Sequence, residues 1–240
     1  LALIILFIIV ITKKFPNTTN FLFVALILRS LCVILDQYFI TLPDSTGDAI
    51  VFEHKAFYYS EKYGLNVIFQ LFHQDSFIIS KFISIFYTFL DRSAMMSKMF
   101  SVAFGTFTVF LIYRLTFILW GSRTALKAGW FATFFPSFIL YSSLILREVY
   151  IVFFLMYALI ACVNFINTNR FNYFIKSFVG FAIAALFHGP MILGFFVFAL
   201  YISLRILKKN NYFLYFKKKN LFSIFLIPII LLPVITYFLG

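Results

Sequence analysis

Long apolar runs alternate with short polar ones along most of this chain. Residues 1–12 form the first run, ended by Lys13 and Lys14. Residues 21–40 come next and can cross a bilayer, since about 20 residues at 1.5 Å rise span about 30 Å. A polar segment, residues 41–56, then interrupts the pattern. Within residues 49–63, Phe52, Ala56 and Tyr59 recur at i, i+4 and i+7, with Glu53, Lys55, Glu61 and Lys62 elsewhere. That spacing predicts an amphipathic helix on a membrane surface. Residues 77–90 are apolar, short and carry Lys81, which predicts an interfacial or re-entrant helix rather than a span. Residues 99–120, 128–146 and 149–166 predict three further crossings. Residues 177–187 and 191–207 are broken by His188-Gly189-Pro190, residues 208–220 hold five lysines, and residues 221–238 form the last expected span.

The expected fold is therefore an all-α polytopic bundle of about eight spans. Residues 1–240 make one transmembrane domain, with residues 41–98 as an outer loop carrying the interfacial helices. The apolar runs are continuous, so the alternation of barrel strands is absent. The chain starts and stops in apolar runs and lacks an initiating Met, which predicts a fragment truncated at both ends.

Composition agrees with the pattern. The chain is 63% hydrophobic and 12% charged, with a mean hydropathy of +1.01. Its net charge of +12 does not indicate nucleic acid, because the cations sit in short loops between apolar runs. Following the chain from side to side, 13 of the 20 Lys and Arg residues fall on one face: Lys13, Lys14, Arg114, Arg123, Lys127, Arg170, Lys176, Arg205, Lys208, Lys209, Lys217, Lys218 and Lys219. All eight acids fall on or near the other face. By the positive-inside rule the basic face is cytoplasmic and the acids lie outside. Cys32 and Cys162 lie in apolar runs without ligand spacing, so neither a disulfide framework nor a metal motif is indicated.

Three polar clusters meet on the expected outer face. The first holds Asp44, Asp48, Glu53 and His54. A carboxylate in low-dielectric surroundings has its pKa raised, which suits a general base; a solvated turn after Pro43 is the plainer alternative. The second is Arg147-Glu148, where a planar guanidinium suits phosphate and an interfacial ion pair is the alternative. The third is His188, beside a Gly-Pro break whose freed backbone groups need a protein-lined or wet cavity; a helix-end histidine at the headgroup level is the plainer alternative. Arg29 and Asp36, seven residues apart on one helical face, are expected to pair structurally rather than to extend the outer cavity inward.

The order of these features resembles the polytopic glycosyltransferases of the GT-C fold, in particular their protein-mannosyltransferase-like and lipid A sugar-transferase-like bacterial branch. Three stretches carry the resemblance. One is Pro43-Asp44-Ser45-Thr46-Gly47-Asp48-Ala49, with Phe52 and Ala56 following Asp48 at four and eight. Another is Trp120-Gly121-Ser122-Arg123-Thr124-Ala125, leading to Phe135-Pro136-Ser137 and Tyr141-Ser142-Ser143. The last is Arg147-Glu148.

The resemblance implies a polyprenyl-phosphate-linked sugar as donor and a glycan, lipid or protein acceptor. It implies Asp48 as the catalytic carboxylate with Asp44 its close competitor, and Arg147 as the phosphate contact, with Glu148, His188, Glu53 and His54 as substrate-binding candidates. The family's usual Asp-Glu pair is Asp48-Ala49 here. No motif selects a cofactor, and a divalent cation has no ligand spacing to support it. A polymerase or ligase of lipid-linked glycans, leaning on Arg and His, and a transporter or flippase, suggested by the break at residues 187–190, are the alternatives.

Overall fold

A computed structural model describes residues 1–70 and 77–209, with side chains to residue 205. The expected last span at residues 221–238, Lys217 to Lys219, His73 and Asp75 lie outside the described residues.

The described residues form helices joined by turns, without a strand. In chain order the helices are α1 (Ala2–Lys14), α2 (Thr19–Tyr38), α3 (Asp48–Tyr63), α4 (Val67–Gln70), α5 (Ile78–Leu90), α6 (Ala94–Trp120), α7 (Ser122–Phe134), α8 (Pro136–Tyr141), α9 (Arg147–Thr168), α10 (Phe171–Phe187) and α11 (Ile192–Lys209). Among the described residues, three stretches are long and apolar enough to cross a membrane: Pro16–Tyr38, Ala94–Trp120 and Arg147–Thr168. Ile78–Leu90, Phe171–Phe187 and Gly189–Arg205 are apolar but shorter.

Aromatic contacts fix the helix directions. Asp36 meets Lys98 at one end of the α2–α6 pair, and Phe21 meets Tyr113 at 5.6 Å at the other, so these helices are antiparallel. α6 and α9 run parallel, with Ser101 against Tyr150 at 3.2 Å and Phe104 against Phe153 at 4.9 Å. α10 returns along α9, pairing Phe187 with Tyr150 at 5.5 Å and Phe174 with Phe165 at 5.6 Å. Gly180 lets that pair close up, because a Cβ there would stand 2.8 Å from the Ala158 Cβ. Small residues serve the same purpose in membrane bundles generally, since lipid offers no hydrophobic drive for association. The C-terminal end of α2, the N-terminal ends of α3, α6 and α9, and the C-terminal end of α10 thus share one end of the bundle.

Two expectations are corrected. Residues 128–146 do run back along the bundle, as parallel α6 and α9 require, but not as one unbroken helix. α7 stops at Phe134, Phe135 is extended (φ −66°, ψ 112°), and α8 starts on Pro136. Proline lacks an N–H and disfavours helical backbone in the residue before it. The chain then turns through residues 142–146, where Ser142, Ser143, Leu144, Ile145 and Leu146 are all buried. Protein, rather than solvent, covers this whole turn. Gly105 makes the turn's depth possible: a Cβ at this position would come 2.3 Å from the Ser142 Cβ.

Nor do Arg29 and Asp36 pair. Arg29 points into the bundle, with Nη1 donating to the Ala25 carbonyl at 3.2 Å and Nη2 to the Ala132 carbonyl at 3.4 Å. Asp36 pairs with Lys98 instead, at 2.8 Å. They share a face of α2, but α6 and the chain after α2 reach Asp36 first.

Candidate functional site

The site end begins with the turn at residues 41–47. Asp36, whose carboxylate is fully buried, organises it. Asp36 Oδ1 accepts the Leu42 N–H at 2.9 Å, while Oδ2 accepts from the Ser45 hydroxyl at 2.9 Å and Lys98 Nζ at 2.8 Å. Lys98 also donates to Gln37 Oε1 at 2.8 Å. Burying a carboxylate is costly unless its oxygens are filled by such donors. Asp44 sits in left-handed backbone at φ 65°, which aspartate tolerates better than most residues. Its side chain is exposed.

Asp48 is the first residue of α3, and its side chain is exposed. A carboxylate in this first turn is favoured by the helix dipole. The next residue, Ala49, is buried and packs with Leu144 and Leu146 in one small cluster. Phe52, one turn further, shares a second cluster with Ile145, Val149 and Tyr150. The first turns of α3 therefore lie against the buried turn that leads into α9. Asp48 is one residue from that contact on one side, and Arg147 is one residue from it on the other.

Arg147 opens α9 after extended Leu146 (φ −126°, ψ 143°). It is partly exposed, with Nε 3.6 Å from Glu148 Oε1. Glu148 is exposed in the first turn of α9, where the dipole favours it. His188 ends α10 and is exposed, and the backbone breaks there through Gly189–Met191 as the Gly-Pro pair predicts. The stack of Phe187 on Tyr150 holds this end against the first turn of α9. The three polar clusters thus reach one end of the bundle. His54 is exposed on the outer side of α3, beside Ile50, Val51, Lys55 and Tyr58 in a shallow surface hollow.

Glu53 differs from its expectation, because it is neither on the polar face of α3 nor open to a ligand. It is buried and forms a two-pronged ion pair with Arg92, Nε to Oε1 at 2.9 Å and Nη2 to Oε2 at 2.6 Å. The Tyr87 hydroxyl donates to Oε1 at 3.0 Å and accepts from Ser97 at 2.7 Å. Arg92 also lies over the Phe57 ring at 4.6 Å. Glu53 thereby ties α3 to α5 and to the start of α6. Burial pushes the Glu53 carboxyl up, but the hydrogen bonds from Arg92 and Tyr87 outweigh it and hold the group below the usual glutamate range.

A group lowered on folding stabilises the fold above its unfolded pKa and loses that contribution as pH falls through its folded value. Stability should therefore begin to drop below about pH 4.3, the ordinary glutamate value. Detergent-solubilised protein melted between neutral and acid pH should show this loss, and Glu53→Gln should flatten it.

Beside the site, α5, α6, α9 and α10 enclose an apolar groove of about 210 Å³. Phe82, Phe104, Phe154, Ile183 and Leu186 line it, with Tyr150 supplying the one hydroxyl, already engaged by Ser101. No group of three His, Cys, Asp or Glu side chains that could hold a metal ion occurs among the described residues.

Lys98, Arg92, Tyr87 and Ser97 have structural roles here that no local pattern marks, since their partners lie on other helices. No protein-family model matches the chain, and neither does any curated protein or solved structure.

Proposed function

We propose that this chain is a multi-pass membrane glycosyltransferase. It moves a sugar from a polyprenyl-phosphate-linked donor to an acceptor at the outer face of a bacterial inner membrane, with inversion. The observation that carries this reading is the packing of Ala49 on Leu144 and Leu146, which brings an exposed carboxylate, Asp48, and a partly exposed guanidinium, Arg147, to one junction. The split of acids and cations along the sequence supports the outer placement.

The chemistry follows from the side chains. Asp48 takes the proton from the acceptor hydroxyl, whose oxygen attacks the anomeric carbon of the donor. The bond from that carbon to the phosphate oxygen breaks, and the electron pair leaves with the lipid phosphate. Arg147, oriented by Glu148 and joined by His188, stabilises the charge that develops there. Asp44 is the second carboxylate within the same turn. The apolar groove beside Tyr150 and Phe187 takes the first part of the donor's hydrocarbon chain.

Purified protein in liposomes, given undecaprenyl-phosphate-linked hexoses or pentoses and an acceptor, should release undecaprenyl phosphate as a new glycoside forms. Filling the groove with Ile183→Trp should raise the KM for this donor about tenfold, the cost of about 1.4 kcal/mol of lost binding. It should leave the KM for a donor with a truncated lipid unchanged. Movement of the donor across the membrane without a covalent product would instead indicate a transporter.

A further inference from the structure

Arg29 is fully buried in the middle of α2, where a cation is costly at membrane depth. Among the described residues no carboxylate pairs with it, since Asp36 pairs with Lys98. Its contacts converge on one place. The guanidinium lies over the Phe138 ring of α8 at 5.0 Å, and Nη2 reaches the Ala132 carbonyl at 3.4 Å. The Ser143 hydroxyl donates to the Arg29 carbonyl at 3.2 Å. The guanidinium thus holds the end of α7 and α8, and the Arg29 main chain holds the start of the turn that follows.

Ala132 explains the arrangement. In an unbroken α-helix the carbonyl of residue 132 accepts the N–H of residue 136. Residue 136 is proline and has none. A buried carbonyl without a donor is costly, the more so at membrane depth. Arg29 supplies a donor from another helix, and its charge suits the negative end of the α7 dipole.

We infer that Arg29 is a positioning residue that replaces the hydrogen bond Pro136 cannot make, and so sets the buried turn at residues 142–146 that presents Arg147. The consequence for catalysis rests on the proposed transferase function; the placement of Arg147 does not.

The test reads that placement directly. In the full chain with Cys32→Ala and Cys162→Ala, Arg147→Cys leaves a single thiol for a membrane-impermeant maleimide. Adding Arg29→Met should unmoor the turn and raise the labelling rate about tenfold, within the range of coupling between contacting groups. Arg29→Lys keeps a cation that can donate to the Ala132 carbonyl, so it should label close to the parent rate. Unchanged labelling with Arg29→Met, or Arg29→Lys labelling as fast as Arg29→Met, overturns the inference. If Arg29→Met yields no folded protein, folded Arg29→Lys with parent-like labelling supports the inference, and its failure contradicts it. Loss of sugar transfer is scored separately, so an absent transferase activity leaves the labelling result standing.

Discussion

Asp48→Asn should lower sugar transfer by about 10² to 10⁴-fold, the range in which a positioned general base contributes, while leaving the fold intact. Asp48 is exposed and its side chain caps nothing at the start of α3, so an amide there should be structurally mild. Asp44→Asn should have the smaller effect, because Asp44 lies in the turn before the helix rather than beside Ala49. Arg147→Ala should also impair transfer, by removing the donor to the leaving phosphate. The pair discriminates between chemistries. Activity lost with Arg147→Ala but kept with Asp48→Asn would favour a polymerase or ligase that works without the carboxylate. Release of undecaprenyl phosphate from liposomes measures each variant.

The second large effect is on stability. Glu53→Ala should cost about 3 kcal/mol, the lower end for breaking a buried pair, because Arg92 keeps part of its surface in water. It would leave the Tyr87 hydroxyl without its acceptor and Arg92 without its carboxylate, loosening α3 from α5 and α6 at once. Chemical denaturation in detergent measures the loss. Glu53→Gln should cost less, since the amide oxygen can still accept from Tyr87 and Arg92. An alanine variant as stable as the parent would mean that the network does not hold α3.

Much of this site was legible in the apolar pattern. The stripe of Phe52 and Ala56 gives α3 its buried face, and Gly189-Pro190 marks the end of α10. The same stripe also accounts for Glu53, since Ala49, Phe52, Glu53 and Ala56 fall on one side of a 3.6-residue helix. A charged residue on that side signals a buried partner, and the sequence cannot name Arg92, 39 positions away, as that partner. Residues 128–146 return along the bundle as their hydropathy indicates, but hydropathy does not show where the helix ends, and Leu144, Ile145 and Leu146 are apolar in a buried turn packed on α3 and α5. Pro136 is the residue that marks the break. Arg29 and Asp36 show the same limit, because spacing puts them on one face and tertiary packing assigns each a different partner.

A cross-link reads whether the acidic turn meets the start of α9. In a chain with Cys32→Ala and Cys162→Ala, Asp48→Cys and Arg147→Cys should join through a short bifunctional thiol reagent. Glu61→Cys with Arg147→Cys, displaced along α3 by about 20 Å at 1.5 Å per residue, should not. Cross-linking of the first pair alone is the predicted result. No cross-link between positions 48 and 147, or equal yields for both pairs, would contradict a shared site.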